Sequence, residues 1–203
     1  MFIFRKYYNC KKKREALIVF IGDLGTIALN KIYEDKKDSC YFLAINTDAS
    51  HLQNNVEIED ENKIFIGDKA EYSCGKRDFE SGLDYVKQNK NRLKKIIRKH
   101  KSNKIILVAG LRYSSASGVL AGISEITKKL RPKVKAIVST PFAAEGQNAF
   151  INSSKAIIAL NQNVDELIDF SCEELMRENG GKLLINAIDR EFEKRVLELM
   201  YLI

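Results

Sequence analysis

The chain has 203 residues, of which 45% are hydrophobic and 30% charged, and it carries a formal net charge of +7. Those proportions suit one soluble globular domain and exclude the disordered class. No run of eighteen apolar residues occurs, and the N-terminal MFIFRKYYNCKKKRE places its apolar residues before its charges, so neither a membrane span nor a secretory leader is expected. Cys10, Cys40, Cys74 and Cys172 are scattered without a CxxC, which points to reduced cytoplasmic thiols and to no metal site.

In chain order, residues 1–14 form a basic arm with Arg5, Lys6, Lys11, Lys12, Lys13 and Arg14. Residues 16–21 read as a buried strand, followed by a turn bearing Gly22, Asp23 and Gly25 and a helix through Tyr33. A second strand at 41–45 ends in Asn46-Thr47-Asp48, and 63–66 is a short third. Residues 79–99 read as one long amphipathic helix, with Leu93, Ile96 and Ile97 inward and the lysines of a second basic cluster (87–104) outward. That cluster and the arm are both candidates for contact with nucleic acid or an anionic membrane, or for simple solvation.

Residues 105–109 are strand again, 118–130 helix, and 135–139 strand ending at Pro141. The apolar run 156–160 reads as the last strand, and 183–203 as a long C-terminal helix. Near-continuous apolar strands alternating with helices predict an α/β fold, a doubly wound parallel sheet with helices on both faces. Ligands of such sheets sit beyond the carboxyl ends of the strands. Four such ends carry polar or glycine-bearing loops, at 22–25, 46–48, 110–118 and 141–146.

The stretch KIILVAGLRYSSASG (104–118) follows the strand, tight turn and helix order of an anion cradle. Backbone N–H groups and the hydroxyls of Ser114, Ser115 and Ser117 converge there after Gly110, but Arg112 and Tyr113 stand where close approach favours glycine. A Walker A motif and a GxGxxG fingerprint are both absent. Asp48 suits either a ribose contact or a helix N-cap. His51 and His100 fall in polar segments expected to be exposed, with no nucleophile beside them.

In order, FIGDLGTIALNKI, FLAINTDASHL, KIFIGDKAEYSCGKRDFESG, ILVAGLRYSSASG and VSTPFAAEGQ resemble the nucleotide-binding half of FtsZ, a tubulin relative. The resemblance runs from about residue 16 to the C-terminus, so it implies an FtsZ-like domain over 15–203 behind the basic arm. AINTDA and TPFAAEG are its most specific pieces. It implies a tubulin/FtsZ-type domain that binds GTP or GDP and ends in a long helix.

By this resemblance Gly22, Gly25 and Asn30 match the first phosphate loop, and Asn46, Thr47 and Asp48 match well. Glu80 and Gly82 close the loop that senses the γ-phosphate. The signature GGGTGTG corresponds to 112–118, with Ser115 and Ser117 for its threonines and Gly118 as its remaining glycine. Glu145 takes the ribose position, with Ala149 where a basic residue is usual. Asn161 takes the end of the next strand, Asp189 the guanine edge, and Ile185 the base-stacking position.

The family's catalytic loop and second domain would follow the last helix, beyond Ile203. The expectation is therefore a divergent single domain without self-sufficient GTPase activity, acting as an interaction module in division or the cytoskeleton. Its partner would be another protein, a second copy or an FtsZ-like filament, reached through the nucleotide face or the C-terminal helix. On that helix Leu197, Met200, Tyr201 and Ile203 would form either an open apolar patch or a seam docked on the sheet. A true GTP or GDP binder with slow or trans-activated hydrolysis is the alternative, and a DNA-associated segregation factor acting through the arm is the second.

Overall fold

A computed structural model describes residues 14–68, 78–112, 114–178 and 185–201. Six parallel strands form one sheet in the order β3-β2-β1-β4-β5-β6. They are β1 (Ala16–Ile21), β2 (Cys40–Asn46), β3 (Lys63–Phe65), β4 (Lys104–Gly110), β5 (Lys133–Thr140) and β6 (Glu166–Ser171). The helices are α1 (Gly22–Lys36), α2 (Ala49–Asn54), α3 (Phe79–Gln88), α4 (Lys90–Lys99), α5 (Ser114–Leu130), α6 (Gln147–Asn163), α7 (Cys172–Glu178) and α8 (Ile185–Tyr201).

Alternate residues of the central strands feed two cores, as the period-2 geometry of a strand requires. Leu17, Val19, Leu107 and Val138 point with the buried faces of α3–α6, whereas Ile18, Phe20, Val108 and Ile137 pack with α1 and α8. The doubly wound expectation therefore holds. Cys40 and Cys172 are buried free thiols, and Cys10, Cys74 and most of the basic arm lie outside the described residues.

Two expectations are corrected and one open alternative is decided. The helix expected over 79–99 is two helices that meet at Asn89, whose backbone (φ −98°, ψ 8°) leaves the helical region while its side-chain amide donates to the Tyr85 carbonyl at 2.9 Å. The run 156–160 belongs to α6, not to a strand: Ala156 and Leu160 are buried one helical turn apart while Ile158 is 60% exposed. The sixth strand is instead the half-exposed edge segment ELIDFS. Lastly, the C-terminal helix is docked, with Phe192, Val196 and Met200 buried against α1 and the sheet. Leu197 is partly buried in the same seam, Tyr201 donates to Asp35 at 2.9 Å, and Ile203 lies outside the described residues.

Candidate functional site

The loops after β1, β2, β4 and β5 meet at the carboxyl end of the sheet. At the first, the chain passes from β1 into α1 through Gly22 with φ +71°, a left-handed conformation that glycine adopts without steric cost. A Cβ at Gly22 would come within 2.7 Å of the Ala116 Cβ, so the first turns of α1 and α5 are in direct contact. Gly25 lies against the Val108 carbonyl, and Gly110 against the Leu24 side chain.

Asn46, buried at the end of β2, ties two loops together. Its Nδ2 donates to Asp23 Oδ1 at 2.9 Å, and its Oδ1 accepts from the Asp48 N–H at 3.0 Å. Asp48 in turn caps α2 by accepting from the His51 N–H, which satisfies an orphan donor of that helix. His51 is not exposed as expected: its Nε2 lies 2.9 Å from Thr26 Oγ1 and its Nδ1 3.7 Å from Asp23. Thr26 is buried inside α1 and also donates to its own helix carbonyls, so the Asp23-His51-Thr26 arrangement fastens α2 to α1. Asn30 is likewise occupied, bonding Asn55 and Glu57. Thr47 Oγ1 sits 3.5 Å from Ser115 Oγ across the loops.

The decisive feature lies on the other side of α5. Arg112, its side chain only 3% exposed, donates through Nε to Glu145 Oε1 and through Nη1 to Asp189 Oδ1. Its guanidinium also lies 5.5 Å from the Phe142 ring centroid. Glu145 sits in a 3₁₀ turn (Ala143–Glu145) after β5 and accepts from the Phe142 N–H at 3.2 Å as well. One cation therefore joins the loop after β4, the loop after β5 and α8.

Burial raises the Asp189 carboxyl above its ordinary range; Arg112 opposes the rise, and the neighbouring Glu193 and Glu145 add to it. The shared guanidinium does not cancel the desolvation of Asp189. Cys172, buried behind the cluster, has its thiol pushed up to about 11, mainly by burial, and stays protonated at neutral pH.

A family profile, "Tubulin/FtsZ family, GTPase domain", matches residues 4–180. The chain belongs to this family. It is 28% identical over 161 residues to the cell division protein FtsZ of Buchnera aphidicola subsp. Acyrthosiphon pisum, covering 79% of this chain and 41% of that one. With FtsZ of Aquifex aeolicus it shares 25% over 185 residues, covering 91% and 48%. The chain thus spans about half the length of these curated relatives. Its fold matches an empty FtsZ dimer of Methanocaldococcus jannaschii, with a TM-score of 0.80 at 23% identity, covering 94% of this chain and 54% of that one. It also matches CetZ1 of Haloferax volcanii, a GDP-bound monomer, with a TM-score of 0.76 at 17% identity, covering 91% and 58%.

Placed on this FtsZ-like frame, most of the expected site residues gather at one end of the sheet, though several are engaged in the fold itself. Gly118 and Gly82 belong to the α3–α5 seam: a Cβ at Gly118 would come within 1.9 Å of the Phe79 carbonyl, and one at Gly82 within 2.1 Å of the Ser115 carbonyl. Ser117 is fully buried, its hydroxyl 3.4 Å from the Leu111 carbonyl. Ser114 opens α5; its side chain, that of Ile185, and Tyr113 lie outside the described residues.

Asn161 is not at a strand end. It is exposed on α6 near Asn163, and the chain just beyond bonds the first residues of β5, at the opposite end of the sheet. Its displacement follows from taking 156–160 as a strand. Sequence reasoning also missed a cavity of 440 Å³ beside the arginine, lined by Asp78, Arg112, Glu145, Asn148, Asn152 and Lys155 among others. The spacing Asn148, Asn152, Lys155 places polar groups on one helical face, which was a readable signal once 147–163 is taken as a helix.

Proposed function

We propose that this chain is an FtsZ-like domain whose guanine-nucleotide site is closed by its own Arg112, and that it serves as a non-hydrolysing interaction module in cell division or the bacterial cytoskeleton. The observation that carries the reading is the buried Arg112 bridge. Glu145 and Asp189, which the resemblance assigns to the ribose and the guanine edge, accept from Arg112 instead. The first turns of α1 and α5, which the resemblance assigns to the phosphates, lie in direct contact at Gly22 and Ala116. Both observations support the reading that Arg112 occupies the acids a guanosine nucleotide would need in the family manner.

Relatives solved as a dimer or as a protofilament make a second copy of this chain, or an FtsZ-like filament, the favoured partner. Sedimentation of the purified chain, alone and with FtsZ, tests that part. For the site, the test is titration with millimolar GTP and GDP by calorimetry and thermal melting. The expected result is no heat and no shift. A ligand present at about 100 times its Kd would stabilise the fold by about 2.7 kcal/mol, a plain shift in a melt. Such a shift, or GTP turnover lost in Asp189→Ala, establishes the second reading, a true GTP or GDP binder with slow or trans-activated hydrolysis. That reading draws on Asp189 being 25% exposed, so that release of Arg112 would free both acids and offer a phosphate ligand.

A further inference from the structure

At the end of the sheet opposite the arginine bridge, two helix-to-strand turns lie side by side. The α4–β4 and α5–β5 turns are joined by a hydrogen bond from the Lys133 N–H to the Asn103 carbonyl at 2.8 Å. Segments 98–104 and 128–135 that form them carry nine Lys and Arg residues and no acid. Lys128 donates to the Gln162 carbonyl, Lys129 pairs with Glu125, and Lys135 pairs with Glu166. Arg98, Lys99, Lys101, Lys104, Arg131 and Lys133 make no ion pair among the described residues.

Helix dipoles account for cations in the last turns of α4 and α5. They do not account for the rest. Lys101 (φ +48°) and Arg131 (φ +62°) each occupy the left-handed position after a helix, where glycine would be free of strain, and they are the only described non-glycine residues with positive φ. Lys104 and Lys133 are register partners on adjacent strands, so two like charges stand side by side. Both turns thus place positive charge at the same end of the sheet despite backbone strain and like-charge repulsion. The field extends to the neighbouring corner: Arg14 stacks on Tyr41, Tyr41 lies against His100, and burial together with the charges of Lys99 and Arg14 depresses the His100 pKa.

From this face we propose a binding surface for the phosphate backbone of duplex DNA, made by Arg98, Lys99, Lys101, Lys104, Arg131 and Lys133. A basic membrane anchor pairs its cations with an apolar wedge, and the large exposed hydrophobics lie instead on α1, α6 and α8. A single-strand platform needs exposed aromatic rings, and neither turn carries one. A sequence-independent phosphate contact needs only the cations.

The test is fluorescence anisotropy of a labelled 30-base-pair duplex with the full chain between 50 and 200 mM NaCl. Six phosphate contacts predict an affinity falling about a thousandfold over that range, with a log–log slope near about −5. Replacing Lys101, Lys104, Arg131 and Lys133 together by Gln lowers the slope by about 3 to 4, while a melt confirms that the variant remains folded. The proposal is overturned by absence of duplex binding at 50 mM salt, or by a slope unchanged in that variant. It is equally overturned if the slope falls only in Lys11→Gln/Lys12→Gln/Lys13→Gln, or if phosphatidylserine vesicles are bound and the duplex is not.

Discussion

Replacing Arg112 by Met keeps most of its volume and removes its charge, leaving Glu145 and Asp189 facing each other without a cation. Breaking a buried pair by deleting one partner costs about 3–5 kcal/mol, because the remaining charge has neither water nor counter-charge. Arg112 and Glu145 are 3% and 15% exposed, whereas Asp189 at 25% keeps some hydration, so the low end applies, about 3 kcal/mol at neutral pH. For a chain of this size that lowers the melting temperature by about 6–12 °C.

The deficit has a pH signature. A carboxyl whose folded pKa is raised contributes stability that is full below its unfolded value, near 3.8 for Asp189, and is lost as the pH rises through the folded value. Without Arg112 the raised state is accentuated, so the variant approaches the wild type as the pH falls toward 4. The triple variant Arg112→Met/Glu145→Gln/Asp189→Asn, with no charge left to strand, recovers most of the loss at pH 7. Urea unfolding at pH 4 and pH 7 measures both effects. A loss below about 1 kcal/mol at pH 7, or one that does not shrink in acid, would refute the buried bridge.

Gly118→Ala drives a methyl group into the Phe79 carbonyl and forces α3 away from α5, costing about 3 kcal/mol or more in denaturant unfolding. Lys101→Gly relieves the left-handed backbone at φ +48° and raises the urea midpoint, a gain of about 0.5–1 kcal/mol once the extra unfolded-chain entropy of glycine is subtracted. Burial, then Lys99 and Arg14, lowers the His100 pKa, so the folded state binds fewer protons there than the unfolded chain does. Stability is therefore full above pH 6.5 and falls as the pH drops through the folded value; His100→Phe flattens this part of a stability–pH profile.

What could be read in the sequence follows from burial. β1, β2, β4 and β5 are covered on both faces, so their runs are apolar throughout and stand out against the helices between them. β6 is an edge strand with Glu166 and Asp169 in it, and a half-solvated edge loses that contrast. The run Ala156-Ile157-Ile158-Ala159-Leu160 attracted the assignment instead, since composition resembles a buried strand while only the spacing of its buried positions reveals a helix. That error carried Asn161 to the wrong end of the molecule. In the site, AINTDA and TPFAAEG were legible because their backbone roles are local: Asp48 caps α2 by accepting from the N–H three residues on, and Glu145 accepts from the Phe142 N–H. The arginine bridge was not legible in the same way. Its partners lie 33 and 77 residues downstream, and only the packing of α8 across the sheet brings Asp189 to Arg112.

If the site is closed as proposed, the bridge also bears on why such a frame persists. A bound ligand at the carboxyl end of a doubly wound sheet links the loops that touch it, and the linkage is lost when the ligand leaves. Arg112 makes the same kind of link between the loops after β4 and β5 and α8, but as part of the chain. On the reading proposed here, the elements that would move with a nucleotide are held in one arrangement at all times. The face they present is then constant, which suits a docking module better than a switch. Among the described residues, acids surround the buried Arg112 at this end of the sheet while cations without an ion pair line the other, so a polyanion and a protein partner would meet opposite ends of the domain without competing for one surface.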